Sequence, residues 1–229
     1  MDWPLLASLT AAERDRLLAE TRRRSYTRGE VVVREGDPSD SLHMVEVGRL
    51  AVRVDTAAGD TAMLGLLGPG DWFGELSLLG GDAPVRTATV VALEGATTRS
   101  LGTTAFTGLR GRHPAVGELL LTLLARRVEE LSGRLVEAMY DGLDRRVHRR
   151  LLDLARIYRS DGTDGVDDGV HTDHPVTVPV TQEQLAELVG GTRPSVNQVL
   201  RHLEREGLVE LGRGRIVVHQ PGALALRIG

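Results

Sequence analysis

Apolar residues change rhythm along the chain, and each rhythm predicts a different element. From Leu5 to Leu18 they recur at helical spacing (Leu5, Leu6, Leu9, Leu17, Leu18), and Thr10 with Glu13 has the spacing of a capping box. Between Tyr26 and Leu101 short β-branched or alternating runs take over: Val31–Val33, Leu42–Val47, Leu50–Val54 and Thr87–Ala92. Gly29, Glu35-Gly36-Asp37, Gly48, Gly59-Asp60 and Gly68-Pro69-Gly70-Asp71 separate them. Strands this short and this regularly punctuated predict an antiparallel roll or barrel.

From Pro114 to about Tyr140 the period is helical again. Val116, Leu120, Leu123, Leu124, Val128, Leu131, Leu135 and Met139 form a stripe at spacings of three and four. A helix of about 26 residues spans roughly 39 Å, longer than one small domain needs. The stripe predicts a dimer seam, with packing on the roll of the same chain as the alternative. Asp141-Gly142-Leu143-Asp144 interrupts it, Asp144 is placed to cap the next helix, and Arg145–Tyr158 would bury Val147, Leu151, Leu154 and Ala155. The segment 160–175, with Asp161, Asp164, Asp167, Asp168 and Asp173, reads as a solvated loop, because the closing glutamate of a calcium loop is missing. His171 and His174 in that loop are assigned no metal.

A compact pattern ends the chain. Val176–Val180 predicts a strand. Thr181 and Gln184 form a second capping box before a helix with Leu185, Leu188 and Val189, which ends at Gly190-Gly191. Thr192 caps a second helix with Val196, Val199, Leu200 and Leu203 turned inward, and Leu208-Val209 with Arg215–Val218 makes a hairpin. Helix, glycine turn, helix and hairpin make a winged helix-turn-helix. The fold class is therefore α+β, with domains at 1–113, 114–140 (the long helix) and 141–229.

Composition narrows the chemistry. Cysteine is absent, which excludes disulfides, thiolate-held iron–sulfur clusters and cysteine redox sensing. Every basic side chain is arginine or histidine, the mark of a GC-rich coding sequence rather than of function. The net charge of −4 means that any contact with nucleic acid must come from a local basic patch. No apolar run approaches the roughly 18 residues of a membrane span, and Met1-Asp2-Trp3-Pro4 has no secretory signal character, so a cytoplasmic location is expected. No nucleophile–base pair, metal-ligand set or nucleotide-triphosphate loop is visible, so enzymatic activity is not expected.

Two constellations carry candidate chemistry. The first is Phe73-Gly74-Glu75-Leu76 followed by Val85-Arg86-Thr87-Ala88. Gly74 permits close backbone approach, the stretch from Glu75 can present free N–H groups at a helix start, Arg86 offers a fork for two phosphate oxygens, and Thr87 adds a hydroxyl. Glu75 beside such donors suits a ligand that also carries a hydroxyl, and a cyclic nucleotide has both groups. The second is Thr192-Arg193-Pro194-Ser195-Val196-Asn197-Gln198 at the front of the second helix. Arg193 suits guanine O6 and N7, Gln198 suits adenine or a second base, and Thr192, Ser195 and Thr181 can hold phosphates. Arg201, His202 and Arg205 extend a locally positive face on which Glu204 is the sole acid of that helix. Arg145, Arg146, Arg149 and Arg150 read as a solvated face, with phosphate contact as the alternative.

The Gly-Asp-Trp-Phe lead-in, Gly74-Glu75-Leu76 and Arg86-Thr87-Ala88, together with the ordered string from Thr181-Gln182 to Leu203, resemble the CRP/FNR (catabolite activator) family of transcription regulators over nearly the whole chain. The resemblance implies an N-terminal β-roll of double-stranded jelly-roll type that binds a cyclic nucleotide, a long dimerisation helix and a C-terminal DNA-binding domain. It further implies a homodimer on a palindromic double-stranded operator, an RNA polymerase partner, no membrane and no tightly bound cofactor. Gly74, Glu75, Leu76, Arg86, Thr87 and Ala88 match its ligand cassette. Leu131 and Ser132 match a Thr-Ser pair that contacts adenine, and Leu131 cannot make the polar contact. Cyclic AMP is favoured as effector, with cyclic GMP, another ligand or none left open. Thr181, Thr192, Arg193, Ser195, Asn197, Gln198 and Arg201 are the DNA-binding candidates. Pro194 and Gln198 replace a family glutamate and arginine, so the operator should share a guanine step and differ around it. A constitutive regulator with a vestigial pocket, or an effector-binding subunit acting through protein contacts, are the competing readings.

Overall fold

The computed structural model describes residues 3–57, 59–75, 85–159 and 174–228. These divide into two compact units, 1–131 and 132–229, and the division falls within one long helix.

The first unit opens with a short 3-10 turn (Pro4–Leu6) and helix α1 (Ala11–Glu20). The Thr10–Glu13 capping box forms in both directions. Eight strands follow: β1 (Arg22–Tyr26), β2 (Val31–Val33), β3 (Ser41–Val47), β4 (Leu50–Asp55), β5 (Thr61–Leu67), β6 (Trp72–Phe73), β7 (Thr89–Ala92) and β8 (Ala96–Gly102). They make two antiparallel four-stranded sheets, ordered β1-β8-β3-β6 and β2-β7-β4-β5. The predicted strand at 87–92 begins at Thr89, leaving Thr87 and Ala88 in a bend.

Period-two alternation splits the core in this unit. On β3, Val45 faces a cluster between the sheets with Tyr26, Leu50, Val52, Leu67, Phe73 and Val90. Leu42 and Met44 face the other way, into a cluster with Trp3, Leu17, Phe106, Leu109, Val116 and Leu120. That second cluster draws on α2 (Thr103–Arg112) and on α3 (Pro114–Tyr140). The long apolar stripe of α3 thus divides. Val116 and Leu120 are buried, and Leu123 and Leu124 pack on the same cluster. Val128, Leu131, Leu135 and Met139 are exposed, as are Leu121, Val136 and Tyr140. The reading of packing on the same chain's roll holds for the first half, and the second half is apolar and exposed in the single chain.

The second unit is built on α4 (Leu143–Arg159), β9 (Val176–Val178), α5 (Gln182–Val189), α6 (Arg193–Arg205), β10 (Val209–Gly212), β11 (Arg215–Val218) and α7 (Pro221–Leu226). Its three strands form one sheet in the order β10-β11-β9. Helix α4 buries Val147, Leu151, Leu154 and Ala155, and also His148 and Leu152. Asp144 is not its cap: the helix begins at Leu143, and the Gly142 carbonyl accepts from the Arg146 N–H at 3.2 Å. Asp144 instead adds negative charge to the first turn, where the helix dipole favours it.

The arginine cluster of α4 is neither a solvated face nor a set of free cations. Arg149 pairs with Glu137 at 2.8 Å and Asp141 at 3.0 Å, and Arg150 pairs with Glu137 and with Asp153 at 2.8 Å. Arg145 pairs with Asp141 at 3.3 Å, and Arg146 donates to the Val189 carbonyl at 2.7 Å. These side chains tie α4 to the end of α3 and to α5. The aspartate-rich segment with His171, and Leu76 of the cassette, lie outside the described residues.

Candidate functional site

In the first unit the cassette is organised by a single arginine. Gly74 follows β6 with φ of +86°, a conformation that L side chains rarely adopt. A Cβ there would stand 2.3 Å from Arg86 Nη1 and 2.6 Å from the Ser41 carbonyl oxygen. The glycine therefore makes room for the arginine, where the sequence had suggested room for a ligand. Arg86 is 6% exposed; its Nη1 donates to the Ser41 carbonyl at 2.9 Å and its Nη2 to Ser41 Oγ at 3.0 Å. The backbone of Arg86 is fastened to the turn before β3, since its N–H donates to the Asp37 carbonyl and its carbonyl accepts from the Gly36 N–H, both at 2.8 Å.

What Arg86 lacks is a close counter-ion among the described residues. Its nearest carboxylate is Asp40, 4.0 Å away and 90% exposed. Burial pushes the guanidinium pKa down, and Asp40, Glu75 and Asp37 oppose that shift through their fields. Glu75 is buried beside it, but the hydrogen bonds of the guanidinium go to Ser41 rather than to Glu75. Thr87 is exposed, and Ala88 packs against the cluster between the sheets. Leu131 and Ser132 are both exposed on α3.

Two residues that sequence reasoning missed complete this region. Ser41 holds Arg86. His43, two positions on and on the same face of β3, stacks on Phe73 with ring centroids 4.8 Å apart. Burial, reinforced by the charge of Arg86, pushes the His43 pKa down to about 4, so the ring is neutral near pH 7. Among the described residues its nitrogens meet the Ser41 and Thr98 hydroxyls, each at 3.4 Å. A cavity of about 320 Å³ opens beside them, with Arg22, Arg24, Ser41, His43, Arg86 and Ser100 among its walls. The one available sequence signal was a pair of polar residues, Ser41 and His43, at alternating positions of an otherwise apolar strand.

In the second unit the candidate residues sit as the capping signals require. Thr181 Oγ1 accepts from the Gln184 N–H at 3.1 Å, and the Thr181 N–H donates to Gln184 Oε1 at 2.8 Å. Helix α5 stops at Gly190, which has φ of +63°. A Cβ on Gly191 would stand 2.8 Å from Leu143 Cδ1, so this turn is closely packed. Thr192 caps α6, with its Oγ1 accepting from the Ser195 N–H at 3.4 Å and lying 2.9 Å from Ser195 Oγ. Pro194 fits in the first turn, where no helical N–H is lost.

Val196, Val199, Leu200 and Leu203 bury one face of α6. Arg193, Ser195, Gln198 and Arg201 are exposed on it. Arg193 meets Glu183 only loosely, at 3.6 Å, with both side chains more than half exposed. Arg201 pairs with Glu204 at 2.7 Å, and Glu204 also accepts from the Leu211 N–H at 3.1 Å, which ties the helix to β10. Both donors hold the Glu204 carboxyl below its usual pKa. Asn197 departs from expectation: it is half-buried, and its Oδ1 is enclosed without a hydrogen-bond partner among the described residues.

These two regions coincide with two family matches: a cyclic nucleotide-binding domain over residues 23–113 and a Crp-like helix-turn-helix domain over 145–227. The chain is 33% identical over 221 residues to the cyclic AMP receptor protein of Thermus thermophilus, covering 96% of this chain and 94% of that one. It is 29% identical over 202 residues to the CRP-like cAMP-activated global transcriptional regulator of Mycobacterium tuberculosis, covering 88% of this chain and 86% of the relative. The fold is shared with the c-di-GMP responsive global regulator CLP of Xanthomonas campestris, at a TM-score of 0.75 and 21% identity over 92% of this chain and 99% of that one. The chain belongs to the CRP/FNR family of transcription regulators. It joins an effector-sensing domain to a sequence-reading DNA-binding domain. None of the described helices is long and apolar enough to cross a membrane.

Proposed function

We propose that the protein is a cytoplasmic homodimer that reads a palindromic operator when a cyclic nucleotide, cyclic AMP in the first place, occupies the roll. The observation that carries the effector reading is Arg86. A buried guanidinium whose carboxylate neighbour among the described residues, Asp40, is 4.0 Å away is costly, and a phosphate would add charge through short, charge-assisted bonds. Glu75 is positioned in the chain to accept a ribose hydroxyl. The cyclic AMP named for both sequence relatives supports this choice, whereas Leu131 lowers the expected selectivity for adenine over guanine.

The exposed half of the α3 stripe supports the dimer. Leu121, Val128 and Leu135 repeat every seven residues, and all three are more than 60% exposed in the single chain. Two recognition helices related by a two-fold axis would then meet half-sites about one helical turn apart. RNA polymerase is the expected further partner. A second reading rests on Ser41, which already takes two of the Arg86 donors: a constitutive regulator whose pocket no longer binds.

Calorimetric titration with cyclic AMP and cyclic GMP, with and without operator DNA, separates these readings. Binding that tightens when DNA is present supports gating. Operator binding that ignores both nucleotides at millimolar concentration supports the constitutive reading. Light scattering at micromolar concentration should give a dimer that Val128→Glu or Leu135→Glu splits.

A further inference from the structure

A cleft of about 530 Å³ lies in the second unit between α4, α6 and the residues after α7, and His148, Ser195, Gln198, His202, Arg205 and Arg227 are among its walls. Ser195, Gln198, His202 and Arg205 are spaced three and four apart, so they form one stripe on α6. The cleft thus continues the face that carries the candidate base-reading residues. The guanidinium of Arg205 meets a backbone carbonyl, that of Arg201, at 3.3 Å and His202 Nδ1 at 3.4 Å. No carboxylate partner for it stands among the described residues. Arg227, contributed by the last residues of the chain, pairs with Glu206 at 2.7 Å.

His148 forms the wall on the α4 side. It is 8% exposed, and its Nδ1 is enclosed without a hydrogen-bond partner among the described residues. The charged and titratable groups that face it are Asp144 of α4, His202 of α6, Glu206 at the end of α6, and Arg227. Burial first, and Arg227 next, keep the imidazole less basic than usual. Histidines aside, the cations Arg205 and Arg227 match the anions Asp144 and Glu206 in number, and His202 Nε2 lies 3.5 Å from Glu206. An arriving phosphate tips that balance negative, and of the two imidazoles in the wall His148 is the one with an enclosed nitrogen that has no hydrogen-bond partner among the described residues.

We propose that this cleft seats a backbone phosphate of the operator through Arg205 and Arg227, and that seating it draws a proton onto His148. The proposal rests on the DNA-binding reading and adds to it that the chain's C-terminal turn belongs to the DNA interface and that operator binding is linked to pH. Recognition by Arg193 carries the sequence information, and this seat would carry none.

The test uses the full-length protein with cyclic AMP and an operator duplex isolated by selection from random DNA. Calorimetry at pH 6.5 in two buffers of different ionisation enthalpy counts protons. Uptake approaching one per subunit is expected, with affinity rising up to tenfold per pH unit per subunit as pH falls. His148→Leu should abolish the uptake. Arg205→Ala and Arg227→Ala should each lower the slope of log Kd against log salt by about 0.9 per subunit and leave base preference unchanged. Tight operator binding with unchanged salt slopes in both arginine variants, or uptake that survives His148→Leu, overturns the proposal while the DNA reading stands. If His148→Leu does not fold, the arginine slopes decide. A proton uptake produced by 10 mM inorganic phosphate alone, with operator adding nothing, would make the cleft a small-anion site and overturn the proposal. Failure of the unmodified protein to bind any duplex overturns the DNA reading and this proposal with it.

Discussion

Arg86 and Arg193 both stand where the sequence calls for an arginine facing part of a nucleotide, and the two units hold them in opposite ways. Arg86 is 6% exposed and gives two of its donors to Ser41. Arg193 is 64% exposed and meets Glu183 loosely, at 3.6 Å. Removing Arg86 takes the guanidinium donor from the Ser41 carbonyl inside the roll, at about 1–3 kcal/mol for an unmet group, while the Ser41 hydroxyl keeps Asp40 at 3.0 Å. Removing Arg193 leaves nothing buried unpaired, and surface changes of that kind stay within about 0.5 kcal/mol. In the first unit the candidate ligand-binding group is part of the fold, so a change there should touch binding and stability together. In the DNA-binding domain the fold is complete without its reading face, which leaves that face free to change specificity.

The sharpest way to break this contrast is a pair of glycines with similar backbones and different surroundings. Gly74 and Gly207 both have positive φ, +86° and +72°, but a Cβ on Gly207 would meet nothing within 4 Å. Gly207→Ala should cost only the left-handed penalty of about 1–2 kcal/mol. Gly74→Ala must also push Arg86 and Ser41 aside, which brings the cost to about 2–5 kcal/mol. Both tryptophans, Trp3 and Trp72, lie in the first unit, so their fluorescence in a urea titration reports that unit alone. Exchange of backbone amides in the second unit reports the other substitution. Equal costs would show that the cassette is not packed around Arg86.

Acid should separate the units next. The folded pKa of His43, about 4, lies below its ordinary value of 6.5. Between those two values the unfolded chain binds the proton and the folded sensor does not. The stability contribution is therefore whole above about pH 6.5 and is lost as pH falls toward 4, amounting to about 3 kcal/mol. Urea midpoints followed by tryptophan fluorescence at pH 7 and pH 4.5 should show this fall. His43→Phe, which keeps a ring against Phe73, should reduce it. An acid dependence unchanged by that substitution would place the titrating group elsewhere.

Legibility in the sequence followed the range of each interaction. Capping boxes, the period of α3 and the helix-turn-helix are written within four residues of each other, and the structure has them where the sequence put them. Strand β1 was not visible because Arg22-Arg23-Arg24-Ser25-Tyr26 buries only Tyr26 and is held by pairing with β8, more than seventy residues away. Helix α2 opens on Thr103-Thr104 with no capping side chain, and α7 has six residues, so neither had a pattern long enough to read. Arg86 was recognised as a cation for an anion, but its partner Ser41 lies 45 residues away and no spacing rule joins them. The arginines of α4 read as a solvated face in the sequence because the carboxylate partners of Arg149, Glu137 and Asp141, lie before the helix begins.

At the reading face, the effect is one of discrimination. Arg193→Ala should flatten the preference at one base pair in each half-site by about 1–3 kcal/mol and leave the urea midpoint of the second unit where it was. Selection from random DNA with the variant checks the first part. A preference that survives intact would mean that this arginine does not read bases.

The smallest effects are expected at the two threonine caps of the second unit, and they test whether the reading face is separate from the fold even at its first turn. Either threonine replaced by alanine should cost about 1 kcal/mol. At Thr181 the second arm of the box, from its own N–H to Gln184, does not use the side chain and survives. Thr192 has no such second arm; its hydroxyl meets the Ser195 N–H and Oγ at the turn that carries Arg193. Thr192→Ala should therefore fray the start of α6 and weaken base preference there, whereas Thr181→Ala, at similar cost in stability, should lower affinity for all sequences alike. Thr192→Ser, which restores the hydroxyl, should recover both stability and preference. If Thr181→Ala alters base preference as much as Thr192→Ala does, the two helices move as one body on DNA, and the reading face depends on the fold as closely as Arg86 does in the sensor.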